Sequence, residues 1–429
     1  MDKKKVLIFP AGAENALEIF DSLRYNVNVE LYGASGKKDY AEYCYDAEHY
    51  IEGDFYITNS GFINYFNEIL LDKKIDVVIP THDDIALYLA KVRDKLASKI
   101  LVSDEKTADI CRHKKLTYEL IKDEFFCPKI IRNRDEVNEE AFPLFAKPDA
   151  AAGGQGTKLI KKEADLEDSF FGANYILSEF LPGEELTVDC FTGRSGELKF
   201  AGARTRDRIV NGIASRSTVI EMPDDVGKIA NILNDKLNFF GAWYFQVKKD
   251  KDNKYKLLEV ACRQAGTMTL YRHMGINFPM LGIFELYGID TSYVLHKCKA
   301  QLERRISTKF RTDIEYDTVY MDYDDTIVVA GKVCKTILIF LYECIEEGKK
   351  IVLLSRHDGD LDDEFEKFRL NKKIFDEIIH ITFDEDKIDF INPERAIFID
   401  NSYAERKKVN DKFGIPVFDV DNVDMLIKS

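Results

Sequence analysis

None of the eight cysteines in this 429-residue chain forms a CxxC pair, and all lie far apart. That argues against a zinc site or a disulfide framework and for a reducing compartment. No stretch approaches about 18 apolar residues, so nothing reads as a membrane span. The opening residues, MDKKKVLIFPAG, run from charge straight into a short apolar strand. They lack the apolar core and small-residue cleavage site of a secretory signal. A basic excess is also missing, since the formal net charge is −15. A nucleic-acid binder needs a basic face to replace released counterions. Here Lys and Arg are scattered through an acidic background, as on a solvated surface. No Ser-His-Asp or Cys-His arrangement stands out, and the seven histidines are isolated. Each reads as a surface or packing residue. The expectation is a cytoplasmic protein that binds neither nucleic acid nor membrane.

What is present is ordinary globular material: 45% hydrophobic and 32% charged residues. The length predicts roughly two to four domains. The first hundred residues alternate apolar strands (KVLIFPA, VNVELYGAS, DVVIP, KILVS) with helix-patterned segments (ENALEIFDSLR, FINYFNEILLDK, DDIALYLAKVRDKL). This predicts a parallel sheet covered on both faces. The first strand-to-helix turn, FPAGAENA, has no GxGxxG, so a dinucleotide site is unsupported. Near residue 104 a polar helix, DEKTADICRHKKLTYELIKDE, leads into antiparallel-looking strands with Gly-containing turns, an α+β pattern. Residues 296–315 are charged and lack a core pattern; 299–314 are taken as a linker. From 315 to the C-terminus, strand–helix alternation resumes as a small separate three-layer domain. The domains expected are 1–104, 105–298 and 315–429.

Three stretches in the middle of the chain suggest a ligand. In FPLFAKPDAAAGGQGTKLI a strand delivers Lys147, and a loop with Gly153, Gly154 and Gly156 follows. Glycines let backbone N–H groups approach phosphate oxygens, and lysine supplies a point charge. Gly-rich hairpin loops are also common without any ligand. In YILSEFLPGEELTVDCF, Glu179 and Glu185 flank a short linker between two strands. They suit a base edge and ribose hydroxyls, or are simply exposed on a hairpin. In WYFQVKKDKDNKYKLLEVACRQAGT, Gln246 and Glu259 would face each other across a hairpin. Hard oxygen donors placed so suit magnesium held against phosphates. Arg263 follows on the same side.

In this order, Lys147, glycine loop, EFLPGEE, Gln246 and LLEVACRQAG, the chain resembles the ATP-grasp fold over about residues 1–295. The likeness is to the carbamoyl-phosphate-synthetase-like branch, with Lys114 in the lead-in helix. The first hundred residues would then be the preceding α/β domain. The resemblance implies that Lys114 and Lys147 contact phosphates and that 153–157 form a phosphate lid. Glu179 and the backbone near Leu181 would hold adenine, and Glu185 the ribose. Gln246 and Glu259 would be magnesium ligands. Arg263, with Arg206 beside it, would steady the transferred phosphate or the acyl phosphate. One departure stands out: the family usually reads Glu-x-Asn-x-Arg, and here Ala261 fills the Asn position. An alanine cannot bind metal, which puts full catalytic competence in question.

A second constellation begins at VYMDYDDTIV, where three acids crowd the end of an apolar strand. Loops after parallel strands converge at their C-terminal ends, where ligands bind. Asp322, Asp324, Thr326, Ser355, Lys387, Asp400 and Asn401 would therefore meet at one edge. This resembles the haloacid-dehalogenase-like phosphohydrolases over about 315–429. The resemblance implies that Asp322 attacks phosphorus and binds magnesium, and that Asp324 protonates the leaving oxygen and then activates water. Asp324 is also expected to be a metal ligand. Thr326 would shape the loop, Ser355 and Lys387 would hold phosphate, and Asp400 would bind magnesium. One helix between the first two motifs leaves no room for a cap domain. The site should be open, or covered by the ligase part of the same chain.

Together the resemblances imply ATP and Mg2+ (or Mn2+) as cofactors. The activity implied is a carboxylate–amine ligase joined to a phosphohydrolase acting on a related phosphorylated molecule. Partners would be a small carboxylate, an amine and a phosphate ester. A homodimer is expected by analogy with relatives of the ligase part. The alternatives are a ligase with a non-catalytic C-terminal domain, or a nucleotide-binding regulatory module, the latter suggested by Ala261.

Overall fold

The computed structural model describes residues 2–151, 153–210, 212–305 and 307–428. It divides into two compact units, residues 1–306 and 307–429. The first unit starts with β1 (Lys4–Phe9), α1 (Glu14–Leu23), β2 (Val29–Ser35), β3 (Tyr50–Glu52), α2 (Phe62–Asp72), β4 (Val77–Pro80), α3 (Asp83–Lys91) and β5 (Lys99–Ile100). The five strands form one parallel sheet in the order β3-β2-β1-β4-β5. Val6 and Ile8 pack on one face with Ala16, Ile19 and Leu23 of α1. Leu7 and Phe9 pack on the other with Phe62, Phe66 and Leu70 of α2. Burial on both faces explains why β1 is an unbroken apolar run. The three-residue β3, embedded in AEHYIEGD, is too short and polar to stand out in the sequence.

The expected polar lead-in helix is two helices, α4 (Glu105–Arg112) and α5 (Lys114–Leu120), parted at His113. Asp104 caps α4 by accepting from the Thr107 N–H at 2.7 Å. The break has a tertiary cause. Asp149 takes the N–H of Lys114 on its carbonyl (3.2 Å) and that of Lys115 on Oδ1 (2.7 Å). These bonds satisfy donors at the start of α5.

Two antiparallel sheets follow. The first comprises β6 (Ile130–Ile131), β7 (Leu144–Pro148), β8 (Lys158–Ile160) and β9 (Tyr175–Glu179) in the order β6-β9-β7-β8. The second draws on β10 (Glu185–Thr192), β11 (Leu198–Thr205), β14 (Gly241–Lys249) and β15 (Tyr255–Ala261) in the order β11-β10-β14-β15. Between them in sequence lie β12 (Arg208–Val210), β13 (Ile213–Thr218) and α6 (Asp224–Lys236), whose Val226, Ile229, Ala230 and Leu233 are buried on the second sheet. Helices α7 (Thr269–His273) and α8 (Phe278–Leu286) then lead back, and Met280 and Ile283 of α8 join the core under β1 and β4. The stretch read as a linker is not wholly so. Its residues Gln301–Glu303 form β16, which pairs with β13 and places Glu303 against Arg208 and Arg216.

The second unit holds β17 (Thr318–Met321), β18 (Val328–Val329), β19 (Lys332–Val333), α9 (Lys335–Glu346), β20 (Lys350–Ser355), α10 (Leu361–Phe368), β21 (Glu377–His380), β22 (Ala396–Ile399), α11 (Tyr403–Phe413) and β23 (Val417–Phe418). Its sheet is parallel, in the order β21-β20-β17-β22-β23, with a core on each face. The interval after Asp322 carries more than the single helix expected: the hairpin β18–β19 precedes α9. Two-residue strands bury too little to leave a pattern in the sequence.

Among the described residues no helix is long and apolar enough to cross a membrane.

Candidate functional sites

The second sheet of the first unit is laid out in transverse rows. Arg204 of β11 pairs with Thr187 of β10, Thr187 with Gln246 of β14, and Gln246 with Glu259 of β15. Residues in register across a sheet project from the same face. All four line one cavity of about 850 Å³, together with Asp83, Arg112, Ala261, Arg263 and Arg304. A second cavity of about 230 Å³ adjoins it, sharing Lys114, Gly153, Gly154, Arg206, Gln246 and Glu259 and adding Lys147 and Glu185. A third, of about 120 Å³, shares Lys147 and Glu185 and adds Glu179, Leu181 and Lys248. The three form one trough, narrow and partly apolar at one end, wide and polar at the other.

Lys147 is buried in the middle of this trough. Its Nζ donates to the Tyr118 hydroxyl and to the Leu258 carbonyl, the latter at 3.1 Å. Burial, with the Lys114 charge adding to it, pushes its pKa down to about 7. Glu259 and Glu185 only partly oppose that. A buried lysine held this low is a cation short of an anion. Lys114, at the start of α5, reaches the Ala151 carbonyl at 2.9 Å. Tyr118 was not singled out in the sequence, although it lies one helical turn after Lys114 on the same face.

Glu185 is bracketed by Arg206 (2.7 Å) and Lys248 (3.5 Å). The Arg206 Nε–H has no acceptor along its own direction, so this contact is ionic rather than a directed hydrogen bond. Glu179 turns Oε1 to the Lys129 N–H at 2.8 Å. One carboxylate oxygen is thereby committed to backbone, while the residue still borders the narrow end of the trough. Gly156 lies outside all three cavities. A Cβ there would meet the Pro148 ring at 2.8 Å, and its φ of +71° favours glycine, so its role is to shape the loop. Arg263 is not free for substrate on every side: Nε and Nη2 grip Asp83 at 2.7 and 3.0 Å. Asp83 was also missed. Its signal is position, at the start of the helix three residues after a strand of the parallel sheet, near where such sheets place ligand-binding residues.

Among the described residues no three His, Cys, Asp or Glu side chains gather closely enough to hold a metal unaided. Gln246 and Glu259 offer one amide oxygen and one carboxylate, and Ala261 offers nothing. Magnesium is commonly held by one or two carboxylates plus phosphate oxygens and water. The pair fits that role once a nucleotide supplies the rest.

In the second unit Lys387 Nζ sits 2.7 Å from Asp322 Oδ1 and 2.7 Å from Asp400 Oδ2. All three are buried. Burial and the nearby Asp322 charge push the Asp400 carboxyl up to about 6. Two carboxylates against one ammonium leave a negative charge uncompensated, so the donor set fits a divalent cation. Asp324 does not join them as a ligand. Its carboxylate is half exposed and meets His357 Nδ1 at 2.8 Å. His357, read in sequence as a surface or packing residue, is thus a partner of the second acid. Thr326 accepts from the Asn401 N–H at 3.1 Å, tying the first motif to the fourth. The Ser355 hydroxyl is buried at its strand end without a partner among the described residues.

Lys387→Met is expected to destabilise the second unit by about 3–5 kcal/mol, because it strands two buried charges. Adding Mg2+ should restore much of the loss. Thermal unfolding with and without the ion checks this.

Two family models match the chain. One, described as an ATP-grasp domain, covers residues 111–206. The other, described as ATP-grasp in the biosynthetic pathway with Ter operon, covers residues 172–308. The chain carries an ATP-grasp domain. Solved structures with this fold agree. N5-carboxyaminoimidazole synthetase from Staphylococcus aureus, complexed with ADP, superposes with a TM-score of 0.57 at 16% identity, covering 70% of this chain and 82% of that one. Biotin carboxylase from Campylobacter jejuni does so at 0.55 and 14% identity, covering 68% and 73%. The biotin carboxylase domain of the Hydrogenobacter thermophilus 2-oxoglutarate carboxylase, holding MgADP, gives 0.55 at 14%, covering 69% and 72%. No curated protein sequence matched. Apart from Asp83, which comes from the preceding parallel-sheet region, the trough residues named above lie within the ATP-grasp matches, and both models end by residue 308.

Proposed function

We propose that the first unit is an ATP-dependent carboxylate–amine ligase of the carbamoyl-phosphate-synthetase-like branch. The observation that carries this is the buried, charge-starved Lys147 beside the Gln246–Glu259 pair in a trough closed at one end by Glu179, Leu181 and Glu185. Adenine would lie against Leu181 and Glu179, the ribose at Glu185, and the phosphates between Lys114, Lys147 and the loop bearing Gly153 and Gly154. Mg2+ held by Gln246 and Glu259 would neutralise phosphate charge. A carboxylate oxygen of the acid attacks the γ-phosphorus, the bond to ADP breaks, and an acyl phosphate forms. The carboxylate is a poor acyl donor until its oxygen carries phosphate. An amine then attacks the acyl carbon and gives up a proton, phosphate leaves with the electron pair of its bond to that carbon, and the amide remains. Lys147, Lys114 and Arg206 stabilise the charge spread over the transferred group. The nucleotide-bound carboxylating relatives share the fold, and the ligase reading is drawn from this site together with that likeness.

We assign the second unit as a haloacid-dehalogenase-like phosphohydrolase acting on a phosphorylated substrate or product of the same chemistry. Asp322 would attack phosphorus to form an aspartyl phosphate. Asp324 would give its proton to the leaving oxygen, then take one from the attacking water, with His357 holding its carboxylate. Ser355 and Lys387 would bind phosphate oxygens.

Purified protein given ATP, Mg2+ and a panel of acids and amines should release ADP only when an acceptable acid is present. A parallel panel of phosphate esters tests the second unit. ADP release that ignores every acid, with no tight nucleotide binding, would sink the ligase reading.

A further inference from the structure

The wide end of the trough contains a donor pair that the proposed nucleotide chemistry leaves unused. Arg204 is 1% exposed, and so is Thr187, its cross-strand partner. Asp189 holds the Arg204 guanidinium from the side, with Oδ2 on Nε at 2.6 Å and Oδ1 on Nη2 at 2.9 Å. That two-point grip leaves Nη1, which has no partner among the described residues. Thr187 Oγ1 is likewise unpartnered and buried. Both residues line the cavity that also contains Gln246, Glu259 and Arg263. Buried polar groups are normally paired, so two unpaired donors side by side mark a place for an acceptor from outside the chain.

Net charge does not make the case. Most cations of the cavity already face acids: Arg263 with Asp83, Arg112 with Asp84, Arg304 with Glu14, Arg206 with Glu185. What remains is direction. Nη1 brings two N–H bonds and Thr187 one O–H, a geometry that matches an oxyanion. Position narrows it further. Arg204, Thr187 and Gln246 occupy successive strands of one row, so the backbones of Arg204 and Gln246 lie two strand spacings apart, about 10 Å. The phosphoryl-accepting carboxylate belongs near Gln246 and Glu259. A second oxyanion at Arg204 is then separated from it by a chain of about three to five carbons.

We propose that Arg204 and Thr187 anchor a second oxyanion of the acid substrate, which makes that substrate a short-chain dianion. This rests on the ligase reading above. Binding at the anchor fixes which carboxylate faces the γ-phosphate and rejects monoacids, because they leave both donors buried and unpaired.

The test is calorimetry on the full-length protein saturated with Mg2+ and a non-hydrolysable ATP analogue. The probes are glutarate, 4-phosphonobutyrate and pentanoate. Glutarate or 4-phosphonobutyrate should bind about tenfold or more tightly than pentanoate. Whichever of the two is preferred identifies the oxyanion as carboxylate or phosphate. In Thr187→Val, which keeps the shape and removes the hydroxyl, that preference should shrink while the analogue binds as in wild type. Arg204→Lys, which breaks the fork, should shrink it further. Equal binding of all three probes, no binding of either dianion, or an undiminished preference in both variants overturns the anchor while leaving the ligase reading standing. Failure of the wild-type protein to bind the analogue overturns the ligase reading and the anchor with it.

Discussion

Asp322→Asn is expected to lower hydrolysis of phosphate esters by at least about 10⁴-fold, as loss of a nucleophile does, and to leave Mg-ATP affinity unchanged. The prediction is sharp because the same substitution does not weaken the fold. Asp322 and Asp400 share one ammonium, and Asp322 is itself a cause of the raised Asp400 pKa. Removing one charge relieves that repulsion and leaves Lys387 paired with Asp400. The variant should therefore unfold no earlier than wild type and lose only chemistry. The proposed nucleotide site is built from residues of the other compact unit, so its affinity is expected to be unaffected. Steady-state hydrolysis of p-nitrophenyl phosphate, calorimetry with ATP and a melting curve together check all three parts. Full ester hydrolysis by the variant would remove Asp322 from the mechanism. No hydrolysis by wild type on a broad ester panel would favour a C-terminal unit without catalysis.

Lys147→Met should weaken Mg-ATP binding by about 10–100-fold, the worth of a charged hydrogen bond, and lower acid-dependent ADP formation by about 10³-fold. It also carries a pH signature. The Lys147 pKa of about 7 lies below its ordinary 10.5. Between those values the unfolded chain binds more protons than the folded one, so stability rises with pH across that window. Below about pH 7 the full cost of burying the charged form is present. In the methionine variant this part of the slope should vanish, which denaturant titrations at pH 6.5 and 9 measure directly. Nucleotide bound as proposed would supply the missing anion and raise the pKa again. At pH 8 a group of pKa 7 is about nine-tenths deprotonated, so wild type should take up close to one proton on binding ATP, and the variant should not. Calorimetry in buffers of different ionisation enthalpy reads this number. Equal proton uptake by both proteins would place the charge elsewhere.

Legibility in the sequence followed the range of the interactions. Gln246 and Glu259 could be paired on paper because a single hairpin sets their register, and the structure places them opposite each other. Asp322, Ser355, Lys387 and Asp400 could be gathered because each follows or flanks an apolar strand. Contacts made by distant segments stayed hidden. Asp83 reaches Arg263 from the parallel-sheet domain, and Tyr118 reaches Lys147 from a helix. The Thr187–Arg204 pair depends on a register that no short motif encodes. The helix break at His113 was invisible because its cause is Asp149, far along the chain. His357 read as a surface or packing residue because the acid it contacts lies on another strand end. Asp324 looked like a metal ligand because sequence spacing cannot show which way a carboxylate turns.

The junction at Asp149 has a mechanical consequence. Asp149 follows Lys147 by two residues and fastens the first N–H groups of α5, so both ammonium groups hang from one backbone node. Any motion that opens the trough to the proposed nucleotide would carry the backbones of Lys114 and Lys147 together. Their mutual repulsion is built in before any ligand arrives, and a polyphosphate bound as proposed would discharge it in a single event rather than assembling its counter-charges one by one.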